Sequence, residues 1–290
     1  MILVTGAKGV VGAPLCESLQ SDGIAFVAVS RGVIESYDTS CQLTWNLNQK
    51  LPQVCADWAI TNLIHCAPLW LLERHLTDLS QHGLKSIVAF SSTSIEGKHS
   101  TSSPKERQIV SLLKDAEQSL QASCEQLGIS LTLLRPSLIY GYRRDQNIYK
   151  IAQTIKRFGV VPVVGQAIGL RQPVHADDLV NVALNALRVQ ASKGKQLTSK
   201  TYNVVGGETM TYADMLERIF VELGKPVRII RLPLWLMRFG LRVLGVLTRG
   251  GFTPDMANRM NQHLVYDDQL ARTELDYTPR DFNPKIGLDL

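Results

Sequence analysis

The chain has 290 residues and a formal net charge of +5, and 45% of its residues are hydrophobic while 20% are charged. This composition is typical of a folded globular protein with a sizeable core, and it excludes an extensively disordered chain. The modest positive charge comes without clusters of basic and aromatic residues. It therefore suits an anionic small ligand and does not support nucleic-acid binding.

The five cysteines are odd in number, scattered along the chain, and include no C-x-x-C pair. This usage indicates reduced thiols rather than a disulfide framework or a zinc site, so we expect a cytoplasmic protein without a bound metal. Because the first predicted strand starts at residue 2, we also expect no signal peptide.

A glycine-rich turn opens the chain. A short apolar strand over Ile2–Val4 leads into glycines spaced three apart and then into an amphipathic helix over Gly12–Ser21. In this context one glycine allows a sharp turn, another lets the backbone approach a pyrophosphate, and the third lets the helix pack close to the sheet. Glycines also mark ordinary tight turns. The strand before and the helix after favour a dinucleotide site, which would use Gly6, Lys8, Gly9, Val10, Val11 and Gly12.

The second predicted strand, Ala25–Ser30, is followed directly by Arg31. In a dinucleotide-binding fold an acidic residue here accepts hydrogen bonds from the adenosine ribose, whereas an arginine offers a planar charged fork to a 2′-phosphate. The alternative is a solvated surface arginine. We expect Ser30 and Arg31 to bind the phosphate, which favours NADP over NAD.

Predicted strands and helices alternate through the first two-thirds of the chain. The further strands are Asn62–His65, Ser86–Ser91, Leu131–Leu134 and Thr201–Val205, and the helices are Trp70–His82 and Glu106–Leu127. This alternation predicts a doubly wound α/β fold of the Rossmann type, with a mostly parallel sheet. The expected dinucleotide domain comprises residues 1–142 and 173–206. Residues 143–172 and 207–290 would form a small, mainly helical C-terminal lobe, with a strand near Val160–Gly165 and a helix over Thr211–Leu223. Thr211 would be the N-cap of that helix, with Asp214 three residues on as in a capping box.

Several segments in chain order resemble motifs of one family. They are Thr5-Gly6-x-x-Gly9-x-x-Gly12, Asn46-Leu47, His65-Cys66-Ala67, Phe90-Ser91-Ser92-Thr93, Arg135-Pro136 through Tyr140-Gly141, Arg171 with His175-x-x-Asp178-Leu179, and Tyr202-Asn203-Val204. As a set they resemble the extended and atypical short-chain dehydrogenases/reductases, the group that contains nucleotide-sugar epimerases and dehydratases. The resemblance covers nearly the whole chain.

The resemblance implies roles for individual residues. Thr93 would orient the reacting oxygen, Lys114 would contact the nicotinamide ribose, and Arg171 would hold the diphosphate of a nucleotide sugar, with Arg143 and Arg144 on the same substrate side. Further cofactor contacts are implied at Asn46, Leu47, Cys66, Ala67, Pro68, Ser91 and Pro136.

The chain departs from this family at the residues that move protons. A Tyr-x-x-x-Lys pair on the long helix normally acts as the acid/base, because the lysine and the cofactor's charge lower the pKa of the tyrosine. Alignment on Lys114 places Val110 at the tyrosine position, and the alternative alignment on Ala116-Glu117 places Ile109 and Leu113 at the two positions of the pair. Neither register contains a tyrosine. The substitutes that we consider are Tyr140, which we include among the catalytic candidates with Thr93 and Lys114, and two histidines, His99 and His175.

Two surfaces suggest partners. The arginines at 231, 238, 242 and 249 follow helical spacing among apolar residues, so this stretch either covers the substrate lobe or contacts an anionic membrane surface. It is too often interrupted by charge to span a bilayer. The long helix 106–127 offers a surface for a homodimer.

The favoured function is an NAD(P)-dependent, epimerase/dehydratase-like oxidoreductase that acts on a nucleotide-linked or phosphorylated sugar by hydride transfer. Two alternatives stay open. One is a catalytically silent NADP(H)-binding redox sensor or scaffold, and the other is a peripheral membrane or complex-associated subunit. Fold-level analogy alone does not decide among them.

Overall fold

The computed structural model describes residues 1–35, 41–53, 58–97, 104–145, 147–192, 197, 199–233 and 259–284. The strands in chain order are β1 (Ile2–Thr5), β2 (Phe26–Ser30), β3 (Gln42–Thr44), β4 (Asn62–His65), β5 (Ser86–Phe90), β6 (Ser130–Pro136), β7 (Ile139–Tyr140), β8 (Val161–Val164), β9 (Leu170–Arg171), β10 (Val174–His175), β11 (Ser199–Val204), β12 (Met210–Thr211) and β13 (Ile229–Leu232). The α-helices are α1 (Gly12–Ser21), α2 (Leu76–Gln81), α3 (Ser94–Gly97), α4 (Pro104–Leu127), α5 (Ile148–Phe158), α6 (Ala176–Ser192), α7 (Tyr212–Glu222) and α8 (Gln269–Leu275).

Seven strands form the central sheet in the order β11-β6-β5-β4-β1-β2-β3, and every neighbouring pair is parallel. The chain adds strands on one side of β1 as far as β3 and then continues on the other side from β4. The topological switch point therefore lies between β1 and β4, where doubly wound sheets bind ligands at the carboxyl ends of their strands. The predicted α/β fold with a parallel sheet is confirmed.

Helices cover both faces of the sheet, and its central strands are buried along their whole length. All four residues of β1 and all five of β2 are buried, as expected for a parallel sheet between two helical layers. One core forms where α1, α6 and α8 pack on the sheet. The other forms beneath α2 and α4.

A separate core belongs to the smaller lobe. It is built mainly from α5 and α7, together with β8 and buried side chains of Met260 and Phe282. Helix α7 begins with the capping box expected at Thr211: its hydroxyl accepts from the Asp214 amide, and the Asp214 carboxylate accepts from the Thr211 amide. The predicted helix start is therefore confirmed.

Local patterns were less accurate elsewhere. The helix predicted over Trp70–His82 is wrong: two 3₁₀ turns, Leu69–Leu71 and Glu73–His75, precede the short α2. His75 is held there by a tertiary contact, because its Nε2 lies 2.8 Å from the Leu47 carbonyl oxygen. The half-exposed β3 and the helix α5 were not predicted.

The C-terminal region also differs from the expected division. The expectation that all of residues 207–290 belong to the small lobe is wrong at α8, since Ala271, Leu275 and Tyr277 lie in the core of the dinucleotide domain. The helix expected over 231–249 is wrong at Arg231, which lies in β13 paired with β8. Residues 234–249 lie outside the described residues. Within the part of the chain that is described, no helix has the length and apolar character needed to cross a membrane.

Candidate active site

The glycine turn lies at the switch point and requires its glycines. Gly6 has φ +72°, a conformation that side chains rarely adopt, and a Cβ on it would lie 2.7 Å from the Cys66 carbonyl carbon. A Cβ on Gly12 would overlap the Gly6 carbonyl oxygen. The Gly9 amide donates to that same oxygen at 2.8 Å, which closes the turn. The backbone is thus tightly folded where α1 begins, as a pyrophosphate cradle needs.

The ends of β2 and β3 place the residues expected at the adenosine. Ser30 donates its hydroxyl to the Gly32 carbonyl, and Arg31 is exposed immediately after it. Lys8, from the glycine turn, donates to the Val33 carbonyl at 2.7 Å. Asn46 is exposed after β3, whereas the side chain of Leu47 is buried in the core. Lys8 and Arg31 thus place two positive charges beside the glycine turn.

A buried histidine joins β1 to β4. His65 Nδ1 lies 2.7 Å from the Thr5 hydroxyl, and its Nε2 lies 3.2 Å from the Pro68 carbonyl oxygen. Burial lowers the pKa of His65 to about 4, so the ring is neutral at pH 7. The next residue, Cys66, donates its amide to the Thr5 carbonyl, and burial raises the pKa of its thiol. Cys66 and Ala67 thereby line the edge of the turn with backbone rather than with reactive side chains.

The serine motif after β5 supplies hydroxyl groups at the centre of the site. The Ser91 hydroxyl oxygen is buried without a hydrogen-bond partner among the described residues. Thr93 is 4% exposed, and both its amide and its hydroxyl donate to the Pro136 carbonyl, at 3.1 and 3.2 Å. A buried hydroxyl without a protein partner can form a hydrogen bond to a bound group. Together with the glycine turn it fits the dinucleotide that the sequence predicts.

A cavity of ≈ 440 Å³ extends from the glycine turn into the small lobe. Val10 lines one end, Ser92, Thr93 and Ser94 line the middle, and Tyr212 and Met215 line the lobe end. Its volume falls in the usual range for small-ligand sites. Three arginines also line it: Arg144, Arg171 and Arg259.

Arg171 is 6% exposed and holds the C-terminal segment. Its guanidinium donates to the carbonyl oxygens of Leu170 and Gln262, both at 2.7 Å, and to that of Arg259 at 2.5 Å. Burial, with the nearby Arg259 charge, lowers the pKa of Arg171 to about 10, so it stays charged at pH 7. The three recorded bonds use three of its five N–H groups.

The neighbouring arginines lie in different places. Arg144 lines the cavity, whereas Arg143, expected to contact substrate, lines a separate surface groove with Tyr142 and Asp177. Arg143 has φ +54°, so the backbone turns between the two side chains. The cavity-facing Arg259 forms an ion pair of 2.7 Å with Glu106 at the start of α4.

The remaining catalytic candidates lie outside the cavity. Tyr140 is 3% exposed, and its hydroxyl accepts from the Asn283 amide at 3.2 Å while its ring packs edge-on against His175. Lys114 is half-buried on α4, and among the described residues no member of α4 lines the cavity. His99 lies outside the described residues. The structure thus brings Thr93 together with Arg171 but leaves Tyr140, Lys114 and His175 elsewhere.

Some polar residues of the cavity were not singled out by any sequence pattern. Gln172, Arg259 and Tyr266 line the cavity, and Tyr266 is bound to Gln172 because the Tyr266 amide donates to the Gln172 side-chain oxygen at 2.9 Å. Arg259 and Tyr266 lie far along the chain from the predicted motifs, in a segment without regular secondary structure around Tyr266. Only the fold brings them to the site.

Comparisons with known proteins agree with this architecture. The model of the NAD dependent epimerase/dehydratase family matches residues 2–78 and 71–204, which is most of the chain. This chain belongs to that family. A curated relative, the uncharacterized protein y4nG of Sinorhizobium fredii, is 23% identical over 162 residues, which is 56% of this chain and 39% of that protein. This chain therefore matches less than half the length of that relative.

Similar solved structures share the fold at low identity. The UDP-glucuronic acid 4-epimerase of Bacillus cereus, in complex with UDP-glucuronic acid and NAD, is 17% identical with a TM-score of 0.73, covering 99% of this chain and 96% of its own. The UDP-glucose 4-epimerase of Thermotoga maritima, with UDP-glucose, is 17% identical with a TM-score of 0.69, at coverages of 99% and 94%. The UDP-N-acetylglucosamine 4-epimerase of Bacillus cereus is 16% identical with a TM-score of 0.71, at 99% and 93%.

Proposed function

We propose that this protein is a nicotinamide-dinucleotide-dependent enzyme that oxidises or epimerises a nucleotide sugar, with a UDP-sugar as the first substrate class to examine. One observation carries the proposal: a single cavity runs from Val10 of the glycine turn, past Thr93, to Arg171. A dinucleotide at one end and an anionic sugar nucleotide at the other would meet at Thr93. One epimerase with a similar fold was solved with UDP-glucuronic acid and NAD and another with UDP-glucose, which supports this choice.

The dinucleotide half of the site is the glycine turn with the strand ends beside it. The turn and the start of α1 would hold the pyrophosphate, Arg31 would bind a 2′-phosphate, and the unpaired Ser91 hydroxyl would bond to the cofactor. When bound, the dinucleotide supplies a hydride acceptor and donor. We favour NADP because of Arg31, and NAD is the cofactor seen in the similar structures.

The substrate half is defined by its positive charge. Arg171 is buried, and its recorded bonds within the described residues go to carbonyl oxygens, which satisfy donors but do not neutralise the cation. A buried cation is stabilised by an anion placed against its remaining N–H groups. Arg144 and Arg259 line the same cavity. A diphosphate, with two charged groups, is the ligand that best matches this set.

The adjacent arginines provide a matched test. Arg144→Ala should weaken UDP binding roughly fivefold, because a charge-assisted contact at an exposed side chain contributes about 1 kcal/mol after screening. Arg143→Ala removes the same charge from a side chain outside the cavity and should leave UDP affinity nearly unchanged. Calorimetric titration with UDP at low and moderate salt measures both. If the two variants bind UDP with equal affinity, the proposal that Arg144 contributes to an anion site in this cavity is wrong.

A second function has one observation in its favour. Val110 and Leu113, which stand at aligned positions of the usual acid/base pair, are 8% and 7% exposed and contribute to packing. A protein that binds a dinucleotide but catalyses no reaction would also have apolar, packed residues at these positions of α4. The discriminating measurement is the appearance of reduced dinucleotide when the protein, loaded with NAD⁺ or NADP⁺, is mixed with UDP-glucose or UDP-glucuronic acid. Tight binding of both ligands without any reduction would favour the silent protein.

A further inference from the structure

Among the described residues, two tyrosines line the cavity: Tyr212 at the lobe end, and Tyr266 beside the hydroxyl groups at its middle. Tyr266 lines it beside Thr93, and the Thr93 hydroxyl is hydrogen-bonded to the Tyr266 phenol. Burial raises the pKa of Tyr266, and the bond from Thr93 opposes that rise. Thr93 is the residue that resembles the substrate-polarising hydroxyl of the family. A phenol and a hydroxyl that converge on one point can both contact the same substrate oxygen.

The absence of a side chain at Gly97 leaves space for the Tyr266 phenol. A Cβ built on Gly97, the last residue of α3, would overlap the Tyr266 hydroxyl oxygen and would lie 3.2 Å from a Leu264 methyl carbon. The absence of a side chain at Gly97 therefore lets the phenol sit against α3, next to Thr93. The other end of the residue is anchored as well, since its amide is bonded to Gln172 at 2.9 Å.

Charged groups face the phenol from both sides. Burial raises the pKa of Tyr266, the Thr93 hydroxyl lowers it, the Glu96 carboxylate raises it and the Arg171 cation lowers it. Arg259 also lines the cavity. The phenolate is thus disfavoured by burial and by Glu96, and favoured by Thr93 and Arg171. An added positive charge in the cavity shifts this balance towards the phenolate.

We propose that Tyr266 is the catalytic acid/base of this protein and replaces the tyrosine that α4 lacks. The inference rests on the proposed function, because it assigns the proton transfer of that reaction. The tyrosine reaches the site from the C-terminal segment rather than from the long helix, and it meets Thr93 there. Tyr140, the tyrosine that the sequence analysis considered, is packed outside the cavity, and its hydroxyl accepts a hydrogen bond from the Asn283 amide.

Oxidation of a sugar carbinol would use the phenolate form of Tyr266 as the base. The hydroxyl proton passes to the Tyr266 phenolate, the C–H electron pair leaves as hydride to the oxidised dinucleotide, and a C=O double bond forms. To donate a hydrogen bond to the sugar oxygen, the Thr93 hydroxyl would rotate its proton away from the Pro136 carbonyl, to which it donates in the structure. In the reverse direction the Tyr266 phenol returns the proton to that oxygen while the hydride returns to carbon, on the same face or on the opposite one.

The first test compares two hydroxyl deletions. Tyr266→Phe should slow the reduction of bound NAD⁺ or NADP⁺ by UDP-glucose or UDP-glucuronic acid about 10²–10⁴-fold, the usual contribution of a positioned acid/base. Affinities for NADH, NADPH and UDP should stay within about threefold, since the lost interaction acts in the transition state. Tyr142→Phe is the matched control, because Tyr142 donates to Asp177 at the surface, away from this cavity.

A second measurement needs no turnover. Phenolate absorbance is recorded against pH, and the Tyr266→Phe spectrum is subtracted from that of the unchanged protein to isolate one tyrosine. The midpoint of that tyrosine should lie about 1–3 pH units lower with the oxidised dinucleotide than with the reduced one, because only the oxidised nicotinamide carries a positive charge.

The outcomes separate the two proposals. If Tyr266→Phe turns over as fast as Tyr142→Phe, or if the midpoint is the same with both redox forms, Tyr266 is not the acid/base and the proposed function is untouched. If the unchanged protein binds neither dinucleotide nor UDP, the proposed function is overturned and the role of Tyr266 with it. If both ligands bind without turnover, a lowered midpoint supports the placement of Tyr266 and an unchanged one overturns it.

Discussion

Arg31 is the single residue that decides cofactor preference in this proposal. Its exposed guanidinium follows β2 directly, beside the basic Lys8 of the glycine turn. A 2′-phosphate placed there gains a charge-assisted contact, whereas a free ribose hydroxyl gains little.

NADPH should therefore bind about tenfold more tightly than NADH, since such a contact contributes about 1.5 kcal/mol or more. Arg31→Asp should reverse the order, because a carboxylate repels the phosphate and accepts from the ribose hydroxyls. Fluorescence titration with both nucleotides measures the ratio. Arg188→Asp makes the same charge change on the exposed face of α6 and should leave the ratio as it was. A ratio near one in the unchanged protein would refute the role of Arg31.

At the scale of elements, the junction of β1 and β4 depends on a neutral histidine. The paired ends of these strands bring Thr5 opposite His65, and the ring lies between the Thr5 hydroxyl and the Pro68 carbonyl. Because burial holds the pKa of His65 at about 4 rather than its ordinary 6.5, the unfolded chain takes up a proton first as the pH falls. The stabilisation is thus complete above pH 6.5 and is lost progressively as the pH falls towards 4.

The free energy of unfolding should fall by up to about 1.4 kcal/mol per pH unit from this residue between pH 6.5 and 4. Burial also lowers the pKa of His75, which adds to the same trend. His65→Asn removes one of these titrating groups, so its unfolding free energy should depend less steeply on pH over this interval. Urea denaturation at several pH values gives both slopes. Identical slopes for the two proteins would show that His65 does not couple protonation to folding.

At the scale of the whole molecule, two ligands should occupy one cleft without excluding each other. The glycine turn and the arginine-lined end are contributed by different parts of the chain and meet along the same cavity. Each ligand that binds only the folded protein stabilises it by mass action.

NADPH at about a hundred times its dissociation constant should raise the free energy of unfolding by about 2.7 kcal/mol, and UDP should add a comparable increment on top. Thermal unfolding with each nucleotide alone and with both together measures this. If saturating UDP cancels the effect of NADPH, the two compete for one site, and the division of the cavity into a dinucleotide half and a substrate half is wrong.

Structural features that depend on residues close together in the sequence were predicted correctly. The glycine turn, the start of α1, the strand Asn62–His65 and the capping box at Thr211 depend on residues a few positions apart, and each lies where the pattern indicated. The parallel pairing of the sheet also follows from the alternation of apolar strands and helices. The helix predicted over Trp70–His82 is wrong because the His75 contact with Leu47 comes from a distant segment.

The sequence by itself determined the α/β fold and the place of the dinucleotide turn, because hydrophobic periodicity and glycine spacing act over short stretches of chain. The tertiary structure alone decided which side chains share the cavity. It places the exposed Arg144 at the cavity and Arg143 in a separate groove, buries Tyr140 outside the cavity, and brings Arg259 and Tyr266 from the C-terminal segment to the cavity that Thr93 lines. Contacts of this kind depend on how separate helices and strands pack against each other. No local sequence pattern predicts a contact between residues that are far apart in the chain.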